Sequence, residues 1–434
     1  MTAFLLLICV LCSHGAAAVP FVRSIRKRRL PSTVEFAVLS FFLYYDLGIL
    51  SEALGLPYRS LYFLPLSKAR DWVQLQAAII IVVAPWLIRL GYSLTGGTPT
   101  SAGTRPLLAR KLSKRFYFVS FLILLPVAAL SLFEGMKAEH VWEARALITE
   151  ALGPFIILLL LPIYLLAFYV TTEESRKGAG KLFILVLTAL SVVAVIPSGE
   201  RTLLLLPFLI LLLFYGKLSV GRLATSLVIG LVAAAMLLPI YKAQNADETD
   251  AGTLIANTIS VDFVRGPILV DVLKRSPMLG TNVVSYPGEG YVYGLLFFVP
   301  RSIAPFKGSG TAFYYTGAVA NVPASELDWG LGISAIDEII LNFGKLFIIP
   351  GLLVWGAVMR LADFLSVRRP FLVIPTRLGA VWLLGYHLPA ELQNFGAMAA
   401  VGLLLEWVFV HRGQKRIFTA SLGYVEDPMR WRES

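Results

Sequence analysis

The chain has 434 residues, 57% of them hydrophobic and 15% charged, with a net charge of +11 and a mean hydropathy of +0.75. That balance excludes a water-soluble domain, whose surface needs more charge to stay wetted. It also excludes a nucleic-acid-binding module, because the Lys and Arg lie in short connections between apolar runs and no polar unit interleaves basic with aromatic residues.

Runs of about 20 apolar residues, each able to cross a hydrocarbon core of roughly 30 Å, predict an all-α, polytopic transmembrane helical bundle. In chain order about eleven spans are expected, at 2–22, 33–52, 72–92, 116–134, 151–171, 182–197, 203–215, 223–241, 345–364, 372–386 and 396–410. The chain then divides into N-terminal spans (1–241, about eight), a large, partly helical outer loop (242–344), C-terminal spans (345–410, about three) and a tail (411–434).

The first run holds Cys9 and Cys12, which are read as lipid-facing or packing residues and make no disulfide framework. Ala16-Ala17-Ala18 mimics a signal-peptide cleavage site. No basic stretch precedes it, however, and Arg23, Arg26, Lys27, Arg28 and Arg29 follow it, the pattern of a retained helix that starts outside. With that start, the segments 23–32, 93–115, 172–181, 216–222, 365–371 and the tail from 411 fall inside. They contain 22 of the 38 Lys and Arg, which sets the N-terminus outside and the C-terminus in the cytoplasm.

Pro197-Ser198-Gly199-Glu200-Arg201-Thr202 joins two apolar helices with almost no loop. Arg201 opposes the dipole of the helix it opens, so a phosphate shared with the helix N-terminus is one candidate partner; a plain surface pair with Glu200 is the equally weighted alternative. In the long loop, Asn257 to Lys274 places Ile259, Phe263, Ile268 and Val272 at helical spacing, which predicts an amphipathic helix carrying Arg265. The commoner role for such an arginine is a solvated face. Pro287-Gly288-Glu289-Gly290 reads as a turn, and Tyr291 to Val299 as an interfacial or re-entrant piece too short to span.

Arg301 and Lys307 flank Pro305 after that piece. Two cations on a rigid Pro-bounded turn suit a diphosphate clamp, against the alternative of snorkelling anchors. The segment from Trp329 to Gly344 is read as opening the ninth span, with Asp337 and Glu338 in the first turn of a helix, where the dipole alone favours carboxylates, and that role outweighs catalysis. His387 and Glu391, four apart in the last outer turn, suit proton transfer from a sugar hydroxyl, although a lone surface histidine is the commoner case. His140, beside Glu139 and Glu143, follows the same logic more weakly. No HExxH, GxSxG, Walker A or DxD motif is present, and no metal site or cofactor is expected.

Three short motifs, in order, carry a family resemblance. They are Ser198-Gly199-Glu200-Arg201-Thr202 before Leu203–Leu206, Pro300 to Pro305 followed by Lys307, and Gly330-Leu331-Gly332-Ile333-Ser334 through Glu338 to Asn342-Phe343-Gly344. With this layout the chain resembles the Wzy-type oligosaccharide repeat-unit polymerases of bacteria, the O-antigen and capsule polymerases. The layout covers most of the chain and the motifs about 197–215 and 260–360. The resemblance implies a GT-C-like membrane glycosyltransferase of the bacterial inner membrane, joining undecaprenyl-diphosphate-linked repeat units on the outer leaflet without metal or cofactor. Its expected partners are lipid-linked oligosaccharides and membrane lipids, with a chain-length regulator and a flippase. Arg201, Arg265, Arg301 and the weaker Lys307 are then candidates to hold the diphosphate, and His387, Glu391 or Glu200 to act as base. An O-antigen ligase of the same layout is the nearest alternative. A flippase for the same lipids is a further one, against which stands the absence of visible paired repeats.

Overall fold

The computed structural model describes residues 3–27, 29–54, 66–68, 71–96, 112–137, 147–148, 159–176, 178–195, 201–215, 221, 265–296, 299, 302–327, 330–385 and 392–409. Among them every regular element is helical. The N-terminal part holds α1 (Ala3–Arg26), α2 (Thr33–Phe41) and α3 (Leu47–Ala53), the last two joined by a π-helical turn (Phe42–Asp46). Then come α4 (Asp71–Leu94), α5 (Lys114–Lys137), α6 (Leu161–Val170), α7 (Gly178–Val195) and α8 (Arg201–Ile210). The loop region supplies α9 (Gly266–Arg275), α10 (Glu289–Leu295), α11 (Thr311–Ala320) and α12 (Ala335–Phe343), followed by α13 (Ile348–Arg368), α14 (Val373–Trp382) and α15 (Ala397–Phe409).

Among the described residues, six stretches are long and apolar enough to cross a membrane: Phe4–Arg26, Thr33–Ala53, Trp72–Leu94, Lys114–Glu134, Gly178–Val195 and Lys345–Arg368. They fall on six of the eleven expected spans. Four more expected spans correspond to shorter helices in the described residues: Leu161–Val170, Leu206–Tyr215, Val373–Trp382 and Asn394–Phe409. The expected span at 223–241 lies outside the described residues. Large apolar side chains line the outside of the long helices, including Phe4 and Ile8 on α1, Trp72 and Ile79 on α4, Phe118 and Leu122 on α5, and Val354 and Leu361 on α13. Water does not tolerate such continuous faces, whereas lipid solvates them. Cys9 and Cys12 lie on this outer surface of α1.

Without a hydrophobic force between helices in lipid, close packing must hold them together. The α4–α13 crossing achieves this with two glycines: a β-carbon on Gly91 would collide with the Leu353 backbone, and one on Gly356 with the Ile88 carbonyl. α2 lies along α14, and α1 against α2 and α4. Around Phe116 of α5, the rings of Phe168 and Tyr169 (α6), Phe183 (α7) and Phe409 (α15) lock four helices together, with centroids 5.6–6.1 Å from that of Phe116.

The expected long outer loop is not a solvated appendage. α9 is wedged between α4, α12 and the 66–68 turn, and it buries Ile268, Leu269, Val270, Val272 and Leu273. Only its far side is polar, where Arg275 pairs with Asp271 at 2.6 Å and Tyr315 donates to the same carboxylate at 2.9 Å. Residues 257–264 of the expected helix lie outside the described residues. The described helix runs from Gly266, with Pro267 in its first turn, and the expectation for Arg265 is corrected: it is the buried residue before that helix, not a solvated face residue. The expected Tyr291–Val299 piece is helical from Glu289 to Leu295. Asp337 and Glu338 do stand in the first turn of α12, as expected, but α12 is separate from the following span. Gly344, at φ +91°, breaks the chain between them, with no room for a side chain against the 278–280 backbone. The turn at 277–280 is strapped to this break. Gly280 N donates to the Phe343 carbonyl, Lys345 N to Pro277 and Leu346 N to Met278, at 3.0–3.2 Å.

Candidate functional site

Four chain segments meet at the C-terminal end of α2. Its π-turn brings Tyr44 and Tyr45, the start of α9 brings Arg265, the approach to α12 brings Gly332 to Asp337, and the end of α14 brings Leu383 to Gly385. Two local preferences build it. Ser334 caps α12, accepting from Asp337 N at 3.2 Å, while Asp337 Oδ2 accepts from Ser334 N at 2.8 Å and Ser334 Oγ at 2.7 Å. This reciprocal box is what a Ser-x-x-acid sequence does at a helix start. A π-turn widens α2 where Tyr44 and Tyr45 turn toward the site, a distortion that recurs at functional positions.

Arg265 is 6% exposed. Its backbone N donates to the Tyr44 carbonyl at 3.0 Å, its guanidinium donates to the Gly385 carbonyl at 3.3 Å, and it lies over the Tyr44 ring, 5.5 Å from the centroid. Gly332 is required beside it, because a β-carbon there would stand 2.7 Å from the guanidinium. Asp337 is fully buried, and its Oδ1 accepts no hydrogen bond among the described residues. Burial pushes its carboxyl up to about 6; the Ser334 hydrogen bonds and then the Arg265 charge act in the opposite direction. Tyr315, buried on α11, feels the charges of both Asp271 and Asp337, and desolvation holds its hydroxyl well above the ordinary tyrosine range. The site thus combines a fixed guanidinium with a carboxyl poised to exchange a proton near neutrality.

A second polar cluster lies behind it. Thr311 donates to Glu338 at 3.2 Å, Asn342 donates to Thr311 at 3.0 Å, and Gly290 N donates to Asn342 at 2.9 Å. Glu289 accepts from Ser285 N at 2.7 Å and from Tyr314. These bonds fasten α10 and α11 to α12.

Of the seven residues expected to act, Arg265 and Lys307 are described with their side chains. Lys307 is buried, donates to the Val299 and Leu296 carbonyls, and lies 5.7 Å from the Tyr293 ring centroid. The contacts of Arg265 and Lys307 are with different parts of the fold. Arg201 is the first residue of α8, and its side chain is outside the described residues. Glu200, Arg301, His387 and Glu391 lie outside them altogether, as does His140. Asp337, for which the helix-dipole role outweighed catalysis in the sequence, is the residue that the structure adds to the candidate site. Ser334-x-x-Asp337 announces its cap; no local signal announces its burial. Tyr44 and Tyr45 were also missed, although a Tyr-Tyr-Asp triplet late in an apolar span is itself an irregularity. Comparison with protein-family models, with curated proteins and with solved structures finds no match to this chain.

Proposed function

We propose that this chain is a bacterial inner-membrane glycosyltransferase that polymerises undecaprenyl-diphosphate-linked repeat units on the outer leaflet, built on about eleven spans with a GT-C-like layout, N-terminus outside and C-terminus in the cytoplasm. The supporting observation is the guanidinium of Arg265, held rigidly where the loop region docks on the helical bundle, beside a carboxyl with an oxygen that accepts no hydrogen bond among the described residues. As the glycosidic bond to a lipid diphosphate breaks, negative charge grows on the leaving group. A preorganised arginine in a water-poor site stabilises that charge without reorganising. Arg201, Arg301 and Lys307 remain the further candidates for the diphosphate, and His387, Glu391 and Glu200 for the base that takes the acceptor hydroxyl's proton.

The test is to delete the gene and complement it with wild type, Arg265→Ala or Arg265→Lys. Surface polysaccharide is then sized and the protein is quantified in membranes. Arg265→Ala is expected to leave single repeat units in place of long chains at normal protein level, and Arg265→Lys to restore little. Wild-type chain lengths in Arg265→Ala would remove the proposal. Transfer of finished chains to lipid A core failing instead of chain growth would identify a ligase, and lipid-linked units trapped on the inner leaflet a flippase.

A further inference from the structure

Two titratable side chains buried among the spans have no part in the chemistry above. His14 lies midway along α1 and Asp46 closes the π-turn; they are 0% and 4% exposed. His14 Nδ1 is 2.7 Å from Asp46 Oδ1, and His14 Nε2 is 3.0 Å from the carbonyl oxygen of Ile81 on α4. A carbonyl only accepts, so Nε2 carries a hydrogen. A neutral imidazole has one N–H, so Nδ1 would then be a bare lone pair facing a carboxylate oxygen. Two acceptors do not rest 2.7 Å apart without a proton between them. The Nδ1–H tautomer of the neutral ring would keep the Asp46 bond but turn a bare Nε2 toward the Ile81 carbonyl, so both contacts are hydrogen bonds only when the pair holds one proton more, either as imidazolium with carboxylate or as neutral ring with carboxylic acid.

The surroundings make that proton the pair's own. The rings of Phe41 and Phe42 stand edge-on to the imidazole, with centroids at 5.2 and 5.9 Å. Asp46 Oδ2 is buried and accepts no hydrogen bond among the described residues. Neighbouring charges are directed elsewhere: Glu35 of α2 to Ser24 and Ser32, Glu52 of α3 to Leu66 N, and Arg89 of α4 over Trp86. Tyr45, next to Asp46, faces Ser334 and Asp337, and Arg23 and Arg26 lie in the last turn of α1. Ionisable groups inside a membrane bundle are expensive to keep without a partner or a task.

We propose that His14 and Asp46 form a proton-binding site within the membrane that ties α1, the π-turn of α2 and α4 together, and that losing the proton releases the tie. A pair that has lost the proton keeps one of the two contacts and not both. The proposal is independent of the glycosyltransferase assignment.

The test uses the full-length protein in detergent. Wild-type thermal stability is expected to fall as pH rises above neutrality. In Asp46→Asn the amide donates to Nδ1 without titrating, and that dependence is expected to vanish. Equal pH slopes in the two proteins would overturn the proposal. Should Asp46→Asn not accumulate, 15N NMR decides, in a chain whose other histidines (His140, His387 and His411) are replaced by Gln. At neutral pH a hydrogen-bearing Nε2 together with a protonated or proton-sharing Nδ1 is expected, and a bare lone pair on either nitrogen would equally overturn the site.

Discussion

The two ends of the α2–α3 helix each hold an arginine and a buried aspartate, used in opposite ways. Thr33 and Tyr45 are twelve positions apart, ~18 Å along a helix. At the Thr33 end, Arg377 of α14 closes on Asp363 of α13 at 2.6 Å. That carboxylate also accepts from Thr33 N, from Thr33 Oγ1 at 2.6 Å and from the Tyr92 hydroxyl at 2.6 Å. Both oxygens are saturated, and four helices are pinned by one residue. At the Tyr45 end, Asp337 has one oxygen filled by its own cap and the other without a hydrogen bond among the described residues, and Arg265 acts on it through its field. A saturated carboxylate is a fastening, whereas a carboxylate with a spare oxygen can still bind or exchange something. The same two residue types therefore say little about role until their remaining lone pairs and N–H groups are counted.

The contrast breaks most visibly at the fastening. Asp363→Ala strands a buried guanidinium and is expected to cost about 3–5 kcal/mol, read as loss of thermal or SDS resistance in detergent. Converting both partners, Asp363→Leu with Arg377→Met, is expected to recover most of that loss. A single substitution costing less than ~1 kcal/mol would mean that the pair fastens nothing. The open end is sharpened by pH. Asp337 is held up to about 6 by burial, against about 3.9 in an unfolded chain, so the folded state carries the extra proton between those values and stability declines as pH rises through that window. Asp337→Asn is expected to remove a decline of roughly 2–3 kcal/mol. Parallel wild-type and variant curves from pH 4 to pH 7 would show that the carboxyl is not poised. The smallest effect belongs to the cap: Ser334→Ala is expected to cost about 1 kcal/mol in the same unfolding assay, and no change would mean that the box contributes nothing.

What could be read in advance follows from the range of the physics. Helix length and apolar content are local, so α1, α4, α5, α7 and α13 stand where their sequences place them. Ser334 and Asp337 likewise announce a helix start. The wedging of α9 could not be read, because its burial depends on α4 and α12, which are distant in the chain. Arg265 stood out as an isolated cation, but its enclosure depends on neighbours distant in the chain, Tyr44, Gly332 and Gly385 among the described residues. The Asp363–Arg377 pair escaped notice because both residues sit inside stretches whose average is apolar. Membrane-embedded polar groups are identified by their partners, and sequence averages hide partners.

The hydrogen bonds from Lys345 and Leu346 to Pro277 and Met278 have a mechanical corollary. α13 begins where that turn is tied, so a tilt or piston displacement of the helix cannot leave the turn behind. Bilayers of different hydrocarbon thickness tilt their long helices differently. The lipid surroundings thereby gain a lever on the layer that carries α9 and α12, which makes membrane thickness itself a setting on the geometry around Arg265.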